Sequence, residues 1–519
     1  MCTTRKFKRS YVSTKRYMEK ILMNLLRDYQ KKAIEDIRQH FREGKKRILL
    51  VAPTGSGKTV IACSMMEGLV KNNRFGMFVA HRRELVMQCS RKLADFDIKL
   101  GVIMAGKSGS IYSDVQVASV QTFSARKDND DFVKPQADVI ILDEAHRSTS
   151  KSFQDLINTY PDAWVIGLTA TPCRNDGRGL GNIYQELVNC GTIKELTAKG
   201  YLVPNRIVAP SIPDLQNIRI MAGDYEKKAL DTRMNTPKLV GDIVTHWIKY
   251  GENRPTVVFG TSIKHSKYIT NIFKQNGIPA GHIDGEMPEI EREKVLQDLQ
   301  DDKIKILSNC MVLTEGWDQP KISCVIIARP TKSYSMYLQM VGRALRPAEN
   351  KKDTLIIDHS GCVYEHGFPE DVPDWQLTIS KVKQKEKKVV EPIEKQPFTC
   401  VQCDTVYKPS KEQPECPNCS FIPTKKEQAI LIQQGRLVEL PKMKVKTDDK
   451  QKFYAELLYY AKQKGFKEGW ASHTFKRKFG HFPHSKKVFP IATSKETMGF
   501  IQHCNIARAK SYNMKELSI

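Results

Sequence analysis

Short apolar runs recur along roughly the first two-thirds of the chain, each bounded by polar or glycine-containing segments. Ile48–Ala52, Gly76–Ala80, Asp114–Ser119, Val139–Leu142 and Trp164–Thr169 read as strands, with helical patterning between them. The longest, such as Val139–Leu142 and Cys324–Ala328, are β-branched and lack polar alternation, as expected for strands buried on both faces of a parallel sheet. This rhythm predicts βαβ units in a doubly wound fold. Residues 205–250 are less regular. The rhythm returns with Thr256–Gly260, His265–Asn276, Lys305–Asn309, Cys324–Ala328, Ser335–Leu345 and Thr354–Asp358, a second α/β unit. Residues 376–399 are rich in Lys and Glu and read as a linker. A cysteine module follows, then a basic tail with helical signal at Phe453–Lys464. No apolar run approaches the ~18 residues of a membrane span.

Charge narrows the class of partner. The 519 residues carry a net +25, which fits a polyanion, most simply nucleic acid. The excess sits at the ends: residues 1–20 carry +6 and residues 441–519 carry +11. The thirteen cysteines are mostly scattered, which suits a reducing compartment. The basic, acid-poor start has the composition of a mitochondrial transit peptide but no convincing apolar face and no secretory core. Met23 precedes the first motif, so the first 22 residues read as an arm or a misassigned start. The expected location is the cytoplasm of a bacterial or phage-infected cell, with a mitochondrial one as the lesser alternative.

The first chemical motif is Ala52-Pro53-Thr54-Gly55-Ser56-Gly57-Lys58-Thr59, between an apolar strand and a helical pattern starting near Val60. That is the setting of a phosphate-binding loop. The glycines let backbone N–H groups turn toward phosphate, and the helix N-terminus adds its dipole. Lys58 is expected on the β- and γ-phosphates of ATP and Thr59 on Mg²⁺. An incidental glycine-rich turn would lack this strand-and-helix setting. Asp143-Glu144-Ala145-His146 follows the Val139–Leu142 strand. Asp143 is the expected Mg²⁺ partner, and Glu144 the residue that orients or deprotonates the attacking water. Alone, these acids could as well cap a helix.

Further motifs, in order, resemble those of superfamily 2 helicases. Leu26-Arg27-Asp28-Tyr29-Gln30 looks like the adenine-reading element. Val79–Leu85 resembles motif Ia, Ser119–Thr122 motif Ib, and Asp143–His146 the DEAH form of motif II. Thr169-Ala170-Thr171-Pro172 resembles motif III and Val257–Phe259 motif IV. Thr314-Glu315-Gly316-Trp317-Asp318 resembles motif V, and Gln339–Pro347 motif VI. The resemblance covers residues 25–367. The form of motif V, with Asp358-His359-Ser360-Gly361 and His366-Gly367, resembles the RadD-like and UvsW/XPB-like branch rather than the RNA-directed DEAD-box group. Ala52 stands where the strict phosphate-loop pattern wants glycine.

The resemblance implies two tandem RecA-like domains with parallel sheets, at 25–203 and 204–375, after a basic arm at 1–24. It implies that Arg27, Gln30, residues 53–59, Gly316 and Asp318 contact nucleotide. Gln339, Arg343 and Arg346 would act from the second domain, the arginines on the γ-phosphate. It implies that Arg82, Thr122 and Thr314 face a sugar-phosphate backbone, and that His146, Thr169 and Thr171 couple hydrolysis to movement. His359 and His366 read as core or hinge packing.

Cys400-x2-Cys403 and Cys416-x2-Cys419 have the spacing of a zinc ribbon. Four thiolates suit a closed structural Zn²⁺ site over 400–425, with disulfides or a redox pair as alternatives. The tail, 426–519, interleaves aromatics with lysines. Its aromatics have the spacing of a small helical core, while its lysines suit phosphate contacts. The leading expectation is a DNA helicase or translocase that unwinds or remodels duplex, forked or single-stranded DNA in replication, recombination or repair. Single-strand-binding or recombination proteins are the expected protein partners, RNA a lesser one, and no membrane. The alternatives are a duplex translocase subunit of a restriction-type complex and an ATP-switched nucleic-acid binder.

Overall fold

The apolar runs become strands with ends shifted by a residue or two. The structure is a computed structural model. It describes residues 26–371 apart from 95–97, 109, 111, 175–176, 211–212, 217 and 222. It also describes 375–378, 397–423 apart from 411–412, and 447–501 apart from 480–481, 484–487, 495–496 and 499. The arm at 1–24, most of the linker and much of the basic tail lie outside the described residues. The chain divides into two compact units, one up to Leu431 and one from Ile432.

The first sheet holds β1 (Arg47–Val51), β2 (Gly76–Ala80), β3 (Leu100–Met104), β4 (Lys107–Ser108), β5 (Val115–Ser119), β6 (Val139–Asp143), β7 (Trp164–Thr169) and β8 (Glu186–Asn189). Their order is β4-β3-β5-β2-β6-β7-β1-β8, all parallel except β4. Each central strand feeds two cores. Leu49 and Val51 join one cluster of buried side chains, while Ile48 and Leu50 join another. Both faces being covered is the physical reason these strands show no polar alternation.

The second sheet holds β9 (Asn205–Val208), β12 (Thr256–Phe259), β13 (Ala280–Ile283), β14 (Ile306–Asn309), β15 (Cys324–Ile327) and β16 (Thr354–Asp358), with a small hairpin, β10 (Ile220–Met221) and β11 (Asp224–Tyr225), apart from it. Its order is β13-β14-β12-β15-β16-β9-β18-β17, where β17 is Phe398–Thr399 and β18 is Thr405–Tyr407. The last two are antiparallel additions. The cysteine module thus lends a strand to the open edge of the second sheet, covering backbone groups that would otherwise stand unpaired. Residues 398–399, read as linker from composition, are part of that module.

The helices used below are α1 (Asp28–Arg42), α2 (Lys58–Lys71), α3 (Arg83–Ala94), α4 (Pro237–Tyr250), α5 (Ile263–Gln275) and α6 (Tyr334–Gly342) in the first unit, and α7 (Thr447–Gln463) and α8 (Glu468–Phe479) in the second. One buried cluster runs continuously from the first sheet, through Tyr337, Leu338 and Val341 of α6, into the second. Past β16 the chain returns to the first sheet's side: Thr378 O accepts Gly181 N at 2.9 Å, and Trp375 is buried. In the second unit Phe453, Tyr454 and Leu457 of α7 pack on Ala471 and Phe475 of α8 and on Ile501. No helix among the described residues is long and apolar enough to cross a membrane.

Candidate nucleotide and nucleic-acid site

From the phosphate loop onward, the motifs of the first domain sit at carboxyl ends of parallel strands, where an open α/β sheet forms its ligand crevice; Leu26–Gln30 lies at the start of α1. The phosphate loop leaves β1, the acid box leaves β6, and Thr169 ends β7. The loop is held by Ala52 N donating to Thr169 O at 2.9 Å. Gly57 adopts φ +88°, and a Cβ there would meet Gln30 Nε2 at 2.6 Å. Glycine is required twice over, by conformation and by space. Gln30 Nε2 donates to Ser56 O at 2.8 Å, and Tyr29 OH donates to the same oxygen at 2.7 Å. Tyr29 and Gln30 therefore splint the loop. Arg27 lies over the Tyr201 ring, 4.8 Å from its centroid.

Lys58 Nζ donates to Ala52 O at 3.1 Å. Burial pushes its ammonium down, while the charges of Glu144 and Asp143 push it back up. Asp143 is pushed up to about 7, first by burial and then by Glu144. Glu144 has φ +50°, an uncommon conformation for a non-glycine residue and one often found at functional sites. His146 Nδ1 is 3.4 Å from Glu144 Oε2, and burial pushes its imidazole down. The Ser56 hydroxyl, in a residue 1% exposed, has no hydrogen-bond partner among the described residues. Thr59 follows Lys58 in the first turn of α2 and is half-buried.

The second domain closes the site. At Gly342, the end of α6, a Cβ would collide with Thr54 of the phosphate loop. Motif VI is therefore seated directly on motif I. Arg346 passes over Gly55 and pairs with Asp318 at 2.7 Å. Arg343 donates to Trp317 O at 2.7 Å and to Thr314 O at 2.8 Å. Its guanidinium is pushed down to about 10 by burial and by Arg346, against the pull of Glu144 and Glu315. Gln339 is buried on the same helix. Lys58, Asp143, Glu144, Arg343 and Arg346 thus share one cleft.

Two further links cross that cleft. Thr171 Oγ1 donates to Ser335 Oγ at 2.6 Å, and Thr169 Oγ1 donates to Thr171 O at 2.8 Å. Glu315, only 3% exposed at its side chain, gathers three residues of the first domain. His81 Nε2 lies at 2.8 Å, Arg82 Nε at 3.0 Å and Arg147 Nη2 at 3.3 Å. Burial alone would raise the Glu315 carboxyl, but these neighbours hold it well below the usual carboxylate range. Sequence reasoning quoted Glu315 and His81 inside motifs without giving them work, and it missed Arg147, Ser335 and Tyr201. Conjugate charges in motifs Ia and V were the one signal available for the Glu315 pairing.

The residues expected on a nucleic-acid backbone are placed differently from one another. Arg82 is engaged with Glu315 and with Met311 O and Val312 O, both at 3.2 Å. Thr314 is buried, its hydroxyl donating to Met311 O at 3.0 Å. Thr122, at the start of the helix after β5, is half-buried, its N–H donating to Ser119 Oγ at 3.5 Å. His359 is buried and stacks on His246 of α4, and His366 stacks on Tyr337. Ser266 of α5, His282 and Asp284 form a hydrogen-bonded chain of 2.7 Å links. Ser266 is fully buried, so this chain ties α5 to β13 and offers no nucleophile to solvent.

The sulfur atoms of Cys400, Cys403, Cys416 and Cys419 lie within 4.8 Å of one another. Cys400 Sγ is 3.5 Å from Cys419 Sγ, and Cys403 Sγ is 3.6 Å from Cys416 Sγ. These separations exceed the ~2.05 Å of a disulfide and suit four thiolates about one tetrahedral ion. The module is fixed to the second domain by Ala209 N donating to Asp404 O at 3.1 Å, and by Tyr250 OH donating to the Asp404 carboxylate.

Comparison with known proteins follows the same division. Residues 24–174 match the family "Type III restriction enzyme, res subunit", and residues 238–348 match "Helicase conserved C-terminal domain". A Saccharomyces cerevisiae protein named "Putative ATP-dependent helicase IRC3" is 32% identical over 65% of this chain and 52% of its own. A "51.5 kDa protein" of a Lactococcus phage is 28% identical over 79% of this chain and 86% of its own. The chain thus spans about half the length of the yeast relative. A fragment of a type I restriction enzyme HsdR subunit from Vibrio vulnificus YJ016 shares the fold, with TM-score 0.52, 23% identity and coverage of 66% and 67%. With helicase families matched in order over the two sheets whose strand ends enclose this cleft, the chain belongs to the superfamily 2 helicases.

Proposed function

We propose that the chain is a nucleic-acid-dependent ATPase that moves along DNA and unwinds or remodels it. One observation carries this reading: Arg343 and Arg346 of the second domain share a cleft with Lys58, Asp143 and Glu144 of the first. Lys58 and the loop N–H groups bind the triphosphate. Glu144 orients the attacking water, and the two arginines stabilise charge on the transferred phosphoryl group. The unpartnered Ser56 hydroxyl and the cation-rich cleft fit such an anion. Thr59 and Asp143 fit Mg²⁺, which would neutralise the phosphates when bound. Thr171–Ser335 and the Glu315 cluster tie the two sheets together, so the state of the nucleotide reaches the elements expected on the strand. A ligand that favours the closed cleft, and whose hydrolysis releases it, is the two-state element a motor needs.

The four-cysteine cluster supports one structural Zn²⁺ per chain. Roles in replication, recombination or repair, single-strand-binding or recombination partners, and a cytoplasmic location belong to the same proposal. The test is turnover measured side by side with single-stranded DNA, duplex, fork and RNA. Stimulation by DNA above RNA is expected, and no stimulation by any nucleic acid would overturn the reading. The match to a restriction-enzyme res subunit favours a second reading, a duplex translocase that separates no strands. Strand displacement in a single turnover distinguishes the two.

A further inference from the structure

The C-terminal unit carries an aromatic surface that its own core leaves partly open. α7 reverses direction at Gly465, where φ is +70°. Gly465 N donates to Lys462 O at 3.4 Å and Phe466 N to Ala461 O at 2.8 Å, the paired bonds of a Schellman ending. That ending folds Phe466 back toward Tyr460, with ring centroids 6.4 Å apart. Trp470 of α8 completes the group, 5.1 Å from Phe466 at 32° and 5.6 Å from Tyr460 at 31°. A hydrophobic contact commonly accompanies this motif and accounts for Phe466 meeting Tyr460. It does not account for Phe466 staying 46% exposed, because such a contact stabilises by leaving water. The unit's buried centre lies at Phe453, Tyr454, Leu457, Phe475 and Ile501, with Tyr460 and Trp470 only half-buried at its margin.

The charges around the rings are mainly positive, with Glu468 the one acid between Phe466 and Trp470 in the chain. Lys462, Lys464 and Lys467 are all exposed. Residues 450–479 hold eight basic and two acidic residues. Of the two, Glu456 is buried and accepts hydrogen bonds from the Ser494 and Thr497 hydroxyls.

We propose that Tyr460, Phe466 and Trp470 form a stacking platform for single-stranded nucleic acid, with its phosphates on Lys462, Lys464 and Lys467. Every base offers a π-face, so stacking on aromatics is tolerant of sequence, while the lysines follow the backbone. Apart from its two end pairs, a duplex keeps its base faces inside its own stack and offers this surface phosphates. The site therefore prefers the separated strand. The proposal rests on the motor reading for where such a strand comes from, and on the rings and lysines alone for its binding.

The test uses the full chain without nucleotide. Fluorescence anisotropy gives the affinity for a labelled oligo-dT and for a blunt duplex of equal length, with wild type, Phe466→Ala and Lys464→Glu/Lys467→Glu. Thermal melts by circular dichroism establish that each variant is folded. Phe466→Ala should weaken oligo-dT binding about 5-fold or more, the loss of roughly 1 kcal/mol or more of stacking on one base, and leave duplex affinity close to wild type. The charge-reversal variant should weaken both ligands and flatten their salt dependence. Unchanged oligo-dT affinity in Phe466→Ala, or equal loss for both ligands, overturns the platform. So does loss of an acidic, phenylalanine-containing peptide with oligo-dT binding intact, which reassigns the patch to protein docking. Oligo-dT binding through Phe466 with no nucleic-acid stimulation of ATPase would sink the motor reading and leave the platform standing.

Discussion

Arg82 Nε of the first domain stands 3.0 Å from Glu315 Oε2 of the second, so the residue expected on a DNA backbone is held by a carboxylate from across the cleft. His81 and Arg147 converge on the same carboxylate. On the proposed function, a backbone phosphate arriving at Arg82 would compete with Glu315 for one guanidinium, which would link binding of a strand to closure of the cleft.

Glu315→Gln keeps the shape of that side chain and removes its charge. Removing one partner of a buried ion pair costs about 3–5 kcal/mol, here divided among the partly exposed guanidiniums of Arg82 and Arg147 and the His81 ring and therefore expected toward the low end. The expected outcome is a large fall in DNA-stimulated turnover, with DNA affinity in the absence of nucleotide maintained or raised because Arg82 is released. Turnover titrated against DNA concentration separates the two effects. A variant with wild-type stimulated turnover would show that this cluster does not hold the closed state.

The cysteine module extends the second sheet, so a metal held there should matter beyond its own few residues. Val406 pairs with Ile207 of β9, next to β16. Elemental analysis should find about one Zn²⁺ per chain, lost in Cys416→Ser/Cys419→Ser. The same variant should lower the melting temperature of the motor by several degrees, since β9 regains an open edge. Zinc retained at full stoichiometry would refute the site. Zinc lost with an unchanged melt would separate the module from the sheet.

The legible and the illegible parts of the molecule differ for physical reasons. β1, β2, β6, β7, β12 and β15 were readable because both faces are buried and the run stays apolar. β13 begins Ala280-Gly281, and Gly281 sits where a Cβ would press on Ile304 and Val295 at 2.7 and 2.8 Å. Close packing there demands a residue that weakens the strand signal. β8 and β9 are as long as β12 and β15, but they begin with polar, half-buried residues (Glu186, Asn205 and Arg206), so no continuous apolar run marks them. That the loop, the acid box and the motif VI arginines come together was legible because loop chemistry demands particular residues at fixed spacing. The Glu315 cluster was not, since its partners stand 234, 233 and 168 positions away in sequence, and only the docking of the two sheets brings them together.

Buried histidines make the second domain acid-sensitive. Burial pushes His359 down to about 3, with His246 adding to the effect. His265 is pushed down to about 4 by burial, against the pull of Asp231. Both remain neutral in the folded chain while the unfolded chain takes up protons below pH ~6.5. Their contribution is therefore complete above about pH 6.5 and is lost as the pH falls toward 4 and then 3. The slope is up to about 1.4 kcal/mol per pH unit for each group. His359→Gln should be less stable than wild type at pH 7.5 but lose less on going to pH 5.5. Melting temperatures at the two values check this, and equal losses in both proteins would contradict it.

The central claim is that the second domain supplies cations to a phosphoryl transfer housed in the first. Pre-steady-state measurement of DNA-stimulated ATP hydrolysis, paired with equilibrium ATP affinity, tests it in wild type, Arg343→Lys and Arg343→Ala. The lysine variant controls for the loss of charge as against the loss of the guanidinium's bonds to Trp317 O and Thr314 O. The account predicts that Arg343→Ala hydrolyses ATP about 10²–10³-fold more slowly, that its ATP affinity stays near wild type, and that Arg343→Lys recovers part of the rate. Wild-type hydrolysis in Arg343→Ala, or equal losses of affinity and rate that lysine does not relieve, would contradict it.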